Sequence, residues 1–253
     1  MTYAALVTAV VVYGGYRVVQ LVLTNAVLTI TSITLRGHTA LSGDDVQSRL
    51  EGLQGLNMMT VDLEAWRQKV LASPWVETAA VRRVLPGSVD VSVVERRPMG
   101  VGRIGNALYL IDQRGVVIDE YGPSHGEFDL PLIDGLAVGG SKSTRGPVVD
   151  ESRAVLAARL MASLQGRPDL AGRVSQIDVT DPRDAVVILE GDTALIHVGA
   201  DQFVERLQNY LDVASTLRGQ VPQIDYVDVR FGERVYVRSQ PSRGGGRKIA
   251  GGG

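Results

Sequence analysis

The chain has 253 residues, a length that allows one or two domains with sizeable hydrophobic cores. Its 45% hydrophobic and 21% charged residues exclude an intrinsically disordered chain, and its net charge of -2 excludes the overall basic surplus of a nucleic-acid-binding protein. Because cysteine is absent, disulfides, thiolate metal sites and a cysteine nucleophile are excluded, and three histidines remain for imidazole chemistry.

The N-terminal segment is apolar, and Arg17 is the only charged residue among residues 1–30. A helix that crosses a bilayer needs about 20 predominantly apolar residues, so we predict a transmembrane helix and its extension over residues 1–30. Tyr13 and Tyr16 lie just before Arg17, as in an aromatic belt beside a snorkelling cation. A cleaved signal peptide is the alternative, but residues 1–5 lack the lysine or arginine of a basic n-region.

Residues 31–97 form a first predicted domain, in which strand and helix patterns follow each other in the order β-α-α-β-β. Alternating apolar and polar residues indicate the strands, and apolar residues repeated every three or four positions indicate the helices. A capping box at Ser42 and Asp45 and an N-cap at Asp62 begin the two helices. The predicted strands are residues 33–36, 76–85 and 88–95.

Trp66 and Trp75 are predicted to pack in the core of this domain. Trp66 lies on the apolar stripe of the second helix, and Trp75 follows the proline that ends it. The basic doublets Arg82-Arg83 and Arg96-Arg97 are predicted to be solvated strand edges rather than a nucleic-acid patch, because no aromatic residues interleave with them.

Residues 98–240 form a second predicted domain, a mixed antiparallel β-sheet with two helices. Asp112 to Gly115 fits a type I turn between two strands, and residues 121–147 are predicted to be rich in loops. The helices are predicted over residues 150–166 and 201–218, and the last strand pair over residues 224–230 and 234–238. The glycine-rich basic tail, residues 241–253, is predicted to be disordered.

Residues 100–105 satisfy the pattern G-x-G-x-x-G of dinucleotide-binding loops. That function requires a helix to begin at the last glycine, since the helix N-terminus holds the pyrophosphate. Residues 106–112 instead have the pattern of a strand and a hairpin turn. We therefore predict a flexible connector here and no cofactor.

The remaining polar residues do not indicate a catalytic or metal site. His38, His125 and His197 are far apart and have no second ligand at helical spacing, so surface or loop positions are predicted. Asp225 and Asp228 have an odd spacing, which places them on opposite faces of a strand and disfavours shared acid–base chemistry. The sequence predicts no catalytic, cofactor-binding or metal-binding residue and hence no enzyme.

Three stretches of the sequence stand out beside the β-α-α-β-β unit that follows a single apolar segment. They are Pro74-Trp75-Val76 with Ala79 to Arg83 and Pro86, then Val94-Glu95-Arg96-Arg97-Pro98, and finally Ile224 to Phe231. The unit resembles a POTRA domain, and the three stretches resemble the FtsQ/DivIB family of cell-division proteins. Further similar words lie between the second and third stretches, at Leu110-Ile111-Asp112 with Gly115 and at Leu130-Pro131-Leu132.

The resemblance implies an α+β, single-pass inner-membrane protein with a cytoplasmic N-terminus and periplasmic POTRA and β-rich domains. It also implies a non-enzymatic scaffold at the division septum that links early and late division proteins by binding FtsB-like and FtsL-like partners. The POTRA domain is implied to bind further division proteins. The sequence lacks the basic tail usual before the apolar segment and a tryptophan that some relatives have in the last strand pair.

The last strand pair is predicted to be the main partner site. No later predicted element can pair with its final strand, so one sheet edge is expected to stay open. The resemblance implies contact with FtsB here, and cations and aromatic residues are enriched at binding hot spots. The predicted partner-binding residues are Arg230, Phe231, Val235, Tyr236 and Val237.

A second hypothesis is a POTRA-bearing component of a secretion or outer-membrane assembly system. Such proteins normally carry several POTRA units or a long series of barrel strands, whereas this chain has one unit followed by strands mixed with two helices. A third hypothesis, an enzyme, is disfavoured because no convergent set of acids, bases or nucleophiles is visible.

Overall fold

The computed structural model describes residues 2–24, 28–37, 40–126, 128–137, 142–143, 146–220, 224–232 and 234–239. His38 and the predicted disordered tail lie outside the described residues. The chain divides into two compact units, Met1–Arg96 and Arg97–Gly253.

The first helix, α1, spans Thr2–Thr24, and its described apolar side chains are exposed. Tyr16 and Gln20, four residues apart, are joined by a hydrogen bond of 3.0 Å. Among the described residues, no helix combines the length and apolarity that crossing a membrane requires. The transmembrane helix predicted over residues 1–30 is therefore not supported.

The rest of the first unit has the predicted order β-α-α-β-β. Its sheet has the strand order β1-β3-β2, in which β1 runs parallel and β2 antiparallel to β3. Helices and strands are β1 (Ser32–Arg36), α2 (Ala40–Arg49), α3 (Leu63–Leu71), β2 (Val76–Val84) and β3 (Ser88–Glu95).

The capping signals in the sequence correctly predicted the start of α3 but not the start of α2. Asp62 caps α3 as predicted, because its carboxylate accepts hydrogen bonds from the backbone N–H groups of Glu64 and Ala65 at 3.0 and 3.2 Å. The capping box predicted at Ser42 is wrong, since α2 begins at Ala40 and Ser42 lies inside the helix. Helix α2 therefore begins before Ser42, the residue with the stronger capping preference.

One contiguous core fills the first unit. The alternate valines of β3 point inward, and Trp66 of α3 belongs to the same buried cluster. Lys69 lies over the Trp66 ring, with Nζ 3.5 Å from the centroid. The prediction of a core position is confirmed for Trp66, whereas Trp75 is buried outside this contiguous cluster.

Two arginines of the basic doublets hold backbone segments together, although Arg83 is exposed as predicted and Arg96 is partly buried. Arg83 of β2 donates from Nε to the carbonyl of Met58 at 2.8 Å and from Nη2 to that of Val61 at 2.7 Å. Arg96 donates to the carbonyls of Pro74 and Val76 at 3.0 and 3.2 Å. The doublet pattern could not reveal these partners, because they lie about 20 or more residues away in sequence.

The second unit is built on a nine-stranded mixed sheet with the order β14-β13-β12-β11-β10-β7-β4-β5-β6. A separate two-stranded sheet joins β8 and β9. The elements are β4 (Pro98–Ile104), β5 (Ala107–Asp112), β6 (Val117–Glu120), β7 (Leu132–Asp134), β8 (Lys142–Ser143), β9 (Gly146–Pro147), α4 (Glu151–Leu164), α5 (Pro168–Ala171), β10 (Val174–Asp181), β11 (Asp184–Leu189), β12 (Leu195–Gly199), α6 (Phe203–Gln220), β13 (Ile224–Phe231) and β14 (Arg234–Ser239).

The two longer helices, α4 and α6, pack against β10 to β13 and enclose the main core. Alternate residues of these strands face the helices and are buried, among them Val187, Ile196 and Val227. The intervening residues lie on the opposite face of the sheet. That opposite face carries the polar side chains considered below.

The G-x-G-x-x-G pattern is strand β4 rather than the flexible connector that we predicted. Gly100 and Gly102 lie inside the strand, where added Cβ atoms would come within 2.4 Å of Ile133 and 2.7 Å of Ile111. These glycines therefore allow close packing within the sheet. The motif is not followed by a helix, since β5 begins at Ala107.

The hairpin predicted at Asp112 to Gly115 is confirmed. The Asp112 carboxylate accepts hydrogen bonds from the backbone N–H groups of Arg114 and Val116, at 2.8 and 2.7 Å. Gly115 has φ +76°, a conformation that favours glycine. The loop-rich segment was only partly predicted, because β7 lies there and pairs in parallel with both β4 and β10.

Candidate partner-binding site

The end of the large sheet is formed by β13 and β14. Among the described strands, β14 pairs with β13 alone, in an antiparallel register that sets Val227 opposite Val237 and Asp228 opposite Tyr236. This arrangement places the predicted site at a sheet edge. The pairing is interrupted by register shifts, one of them between Asp228 and Phe231.

The five predicted site residues differ in what they present to solvent. Phe231 and Tyr236 are 59% and 51% exposed, and their rings form an edge-to-face pair with centroids 5.6 Å apart. Val235 and Val237 are partly buried against the core, so they would meet a partner chiefly through their backbone. We call the Phe231 and Tyr236 rings the exposed aromatic pair.

Arg230 is held inside the protein by two buried carboxylates. Its guanidinium donates from Nε and Nη2 to the two carboxylate oxygens of Asp228 at 2.9 and 2.6 Å, a bidentate arrangement. Nη1 donates to Asp184 of β11 at 2.9 Å. The side chain remains 33% exposed, so one third of its surface is available to solvent.

The Asp184 carboxylate extends this arrangement to β12. One of its oxygens accepts a hydrogen bond from the backbone N–H of Gly199 at 3.0 Å, and the other lies 2.7 Å from Nδ1 of His197. The His197 ring lies 4.4 Å from the ring of Tyr226, whose hydroxyl donates to Asp228 at 3.1 Å. We call Asp184, His197, Tyr226, Asp228 and Arg230 the polar network.

Burial and hydrogen bonding shift the pKa values of the polar network in opposite directions. Burial raises the pKa of Asp228, but the hydrogen bonds from Arg230 and Tyr226 outweigh it and lower that pKa to about 2. The hydrogen bond to Asp228 raises the pKa of Arg230 despite partial burial. Burial, followed by the hydrogen bond to Asp228, raises the pKa of Tyr226. Asp228 and Arg230 therefore remain an ion pair at neutral pH.

The network corrects several predictions. His197 lies on a strand beside Asp184, so neither a surface nor a loop position describes it. His125 lies in the short 3-10 turn between β6 and β7, in line with a loop position, but it is buried with Nε2 3.5 Å from Asp119. Asp228 pairs with Arg230 of the same strand. The even spacing of Tyr226, Asp228 and Arg230 on one strand was a usable signal.

The low pKa of Asp228 predicts a loss of stability in acid. A carboxyl group whose folded pKa lies below its unfolded value of 3.8 stabilises the protein above that value, and the contribution is lost as the pH falls towards 2. We expect Asp228 to contribute about 2 kcal/mol that disappears between pH 5 and pH 2. Urea unfolding across this range measures it.

The Asp228→Asn variant is the control for this prediction. It should be less stable than the unmodified protein at pH 6, and the difference should shrink as the pH approaches 2 because only the carboxyl group titrates. A difference that stays constant over that range would contradict the assignment of the acid sensitivity to Asp228.

The fold and this site can be compared with known proteins. Residues 28–96 match the family model of the FtsQ-type POTRA domain, and residues 101–230 match that of the C-terminal domain of the cell division protein FtsQ/DivIB. The chain is thus a POTRA domain followed by a β-rich domain. It belongs to the FtsQ/DivIB family of cell-division proteins, as the sequence resemblance predicted.

Relatives named cell division protein FtsQ cover most of the chain. The protein from Koribacter versatilis is 29% identical over 83% of this chain and 61% of its own length. The protein from Myxococcus fulvus is 27% identical over 88% of this chain and 78% of its own length. The solved major extracytoplasmic domain of DivIB from Geobacillus stearothermophilus matches 50% of this chain and 98% of its own, with 17% identity and a TM-score of 0.31.

Family membership assigns the chain to cell division rather than to a secretion or outer-membrane assembly system. The C-terminal family match ends at Arg230, so Phe231 and all of β14 lie beyond it. The network residues Asp184, His197 and Asp228 lie within it. Of the five predicted partner-binding residues, Arg230 therefore lies within the family match and the other four lie beyond it.

Proposed function

We propose that this protein is a non-enzymatic scaffold of the bacterial division machinery that links early and late division proteins. It binds FtsB-like and FtsL-like partners through β13 and β14, and other division proteins through the POTRA domain. The observation that carries the proposal is the exposed aromatic pair at the end of the large sheet, with Phe231 on β13 and Tyr236 on the end strand β14. Aromatic side chains offer large rigid contact areas to a partner.

An incoming strand would use both the backbone and the side chains of β14. Its backbone would pair along the edge, and the aromatic pair would fix the register and choose the partner. Arg230 would present only the exposed third of its side chain. Its two carboxylate partners hold it in place, so little side-chain entropy would be lost when a partner binds.

We expect Phe231→Ala and Tyr236→Ala each to weaken binding of an FtsB-like peptide by roughly tenfold or more, because truncating a hot-spot aromatic costs over about 1.4 kcal/mol. Tyr236→Pro should weaken it further, since proline also removes a backbone donor. Calorimetry with the purified protein measures these affinities, and circular dichroism checks that each variant is folded.

Val155→Ala is a matched control for these variants. Val155 is an exposed apolar residue of α4 in the same unit, away from the aromatic pair in sequence, and its truncation should leave the affinity unchanged. If Phe231→Ala and Tyr236→Ala bind as tightly as the control, the partner site lies elsewhere on the protein.

The proposed location is the inner membrane at the division septum, with the N-terminus in the cytoplasm and both folded units in the periplasm. What supports attachment through α1 is its exposed apolar surface, which includes Leu6, Val10, Val11 and Val12. The family's role in cell division supports the septal position.

The location predicts two results in cells. Alkaline carbonate extraction should leave the protein in the membrane pellet, because a chain with its N-terminus in the cytoplasm and its folded units in the periplasm has to cross the membrane. Protease added to spheroplasts should digest residues 32–239 while a cytoplasmic marker stays intact. Protection of this region would contradict the periplasmic assignment, and release by carbonate would contradict insertion.

A further inference from the structure

Four large apolar side chains are exposed at one end of the first unit. Leu56 and Met59 belong to the segment between α2 and α3, and Val84 and Leu85 to the end of β2 and the turn after it. Their exposed fractions lie between 40% and 64%. We call these four side chains the apolar tip.

Backbone hydrogen bonds hold the segments of the apolar tip together. The N–H of Ile30 donates to the carbonyl of Leu56 at 2.9 Å, and the N–H of Thr31 donates to that of Gly87 at 2.8 Å. Arg83 fixes the same segments through its bonds to the carbonyls of Met58 and Val61. The exposed apolar side chains thus stand on an ordered framework.

The chain enters this end of the unit from α1. Leu28 follows Thr24, the last residue of α1, by four positions, a separation that extended chain can span over at most about 14 Å. Any surface that holds the end of α1 is therefore close to the apolar tip. The opposite end of β2, near Val76, points away along the strand.

Positive charge is in excess around the apolar tip, because Asp90, which lies opposite Arg82 on β3, is paired with Arg36 at 3.1 Å, and Asp62 caps α3. Residues 28–32, 54–61 and 82–88 contain Arg82 and Arg83 and no aspartate or glutamate. Arg82 is exposed, whereas Arg83 is engaged with the backbone. Exposed apolar side chains next to a cation fit the interface of a membrane that contains anionic phospholipids.

We propose that the apolar tip contacts the surface of an anionic phospholipid membrane and so sets the orientation of the POTRA domain above it. Leu85 and Met59 enter the boundary between headgroups and acyl chains, and Arg82 lies near lipid phosphates. This inference rests on the proposed attachment of α1 to the membrane.

Because the chain contains no cysteine, a single introduced cysteine can be labelled at one chosen position. Leu85→Cys and Met59→Cys are each labelled with an environment-sensitive fluorophore in the full chain, reconstituted into vesicles containing phosphatidylglycerol. Thr78→Cys is the matched control, because Thr78 is exposed on β2 six residues before Val84, about 20 Å along the strand. Spin-labelled lipids serve as quenchers, flotation measures attachment, and circular dichroism checks folding.

Both tip probes are expected to emit at shorter wavelength than the control probe and to be quenched by the spin-labelled lipids. A smaller response is expected in pure phosphatidylcholine, and an equal one would overturn the assignment to an anionic surface. If the chain floats with the vesicles but the tip probes behave like the control probe, this inference fails and the attachment of α1 stands. If the chain does not float, the proposed attachment fails and the inference fails with it.

Discussion

The Trp66→Ala variant is expected to lose about 3–5 kcal/mol of unfolding free energy in the first unit. Trp66 is buried in the same cluster as the valines of β3 and the other buried residues of α3, so its truncation leaves a cavity in a small core. A small domain has only about 5–15 kcal/mol of stability to lose. Hydrogen–deuterium exchange of β2 and β3 resolves this change from the behaviour of the second unit.

Trp66→Phe is the control for this experiment, because it keeps an aromatic ring and much of the buried surface. It should cost clearly less than Trp66→Ala. A Trp66→Ala variant with unchanged exchange rates that loses binding to a division protein would show that Trp66 is an interface residue instead.

The Arg230→Ala variant is expected to destabilise the second unit by about 3 kcal/mol. Asp228, whose side chain is 5% exposed, and the buried Asp184 would lose their shared guanidinium. The effect should fall at the low end of the range for buried ion pairs, because Arg230 is one third exposed and both carboxylates keep another hydrogen-bond donor. Urea unfolding at pH 7 measures it.

Arg234→Ala removes the same charge from an exposed position on β14 and should change the stability by less than about 0.5 kcal/mol. Arg230→Lys should remain destabilised, since an ammonium group cannot replace the bidentate contacts. If Arg230→Ala unfolds like Arg234→Ala, the polar network does not stabilise this end of the sheet.

Most features that depend on neighbouring residues were predicted from the sequence, with the start of α2 as an exception. The turn at Asp112 to Gly115 and the N-cap at Asp62 each rest on side chains that bond to backbone groups within four residues. The alternating valines of β3 predicted both the strand and which of its faces is buried. The order β-α-α-β-β was predicted from such local patterns, and this order was part of the resemblance to the FtsQ/DivIB family.

Features that depend on distant partners were not predicted. Asp184, His197 and Arg230 meet only because β11, β12 and β13 are adjacent in the sheet. Gly100 and Gly102 indicated a connector because the large residues that pack over them, Ile133 and Ile111, are supplied by other strands. Pairing between strands that are distant in sequence leaves no local periodicity.

The candidate site was predicted in part. The sequence placed Phe231 and Tyr236 on the last strand pair, and the structure brings their rings together. The sequence did not show that Arg230 donates hydrogen bonds to two carboxylates. These bonds mean that Arg230 is not a free cation and that it also positions the end of β13, directly before Phe231.

Site-specific photo-crosslinking in dividing cells tests the central claim most directly. A photoreactive phenylalanine analogue replaces Tyr236 in one strain and Val155 in a matched strain, and each protein must support division. The account predicts an ultraviolet-dependent adduct between position 236 and an FtsB-like protein, and none from position 155. Equal adducts from both positions, or no FtsB-like adduct from position 236 in cells that divide normally, would contradict it.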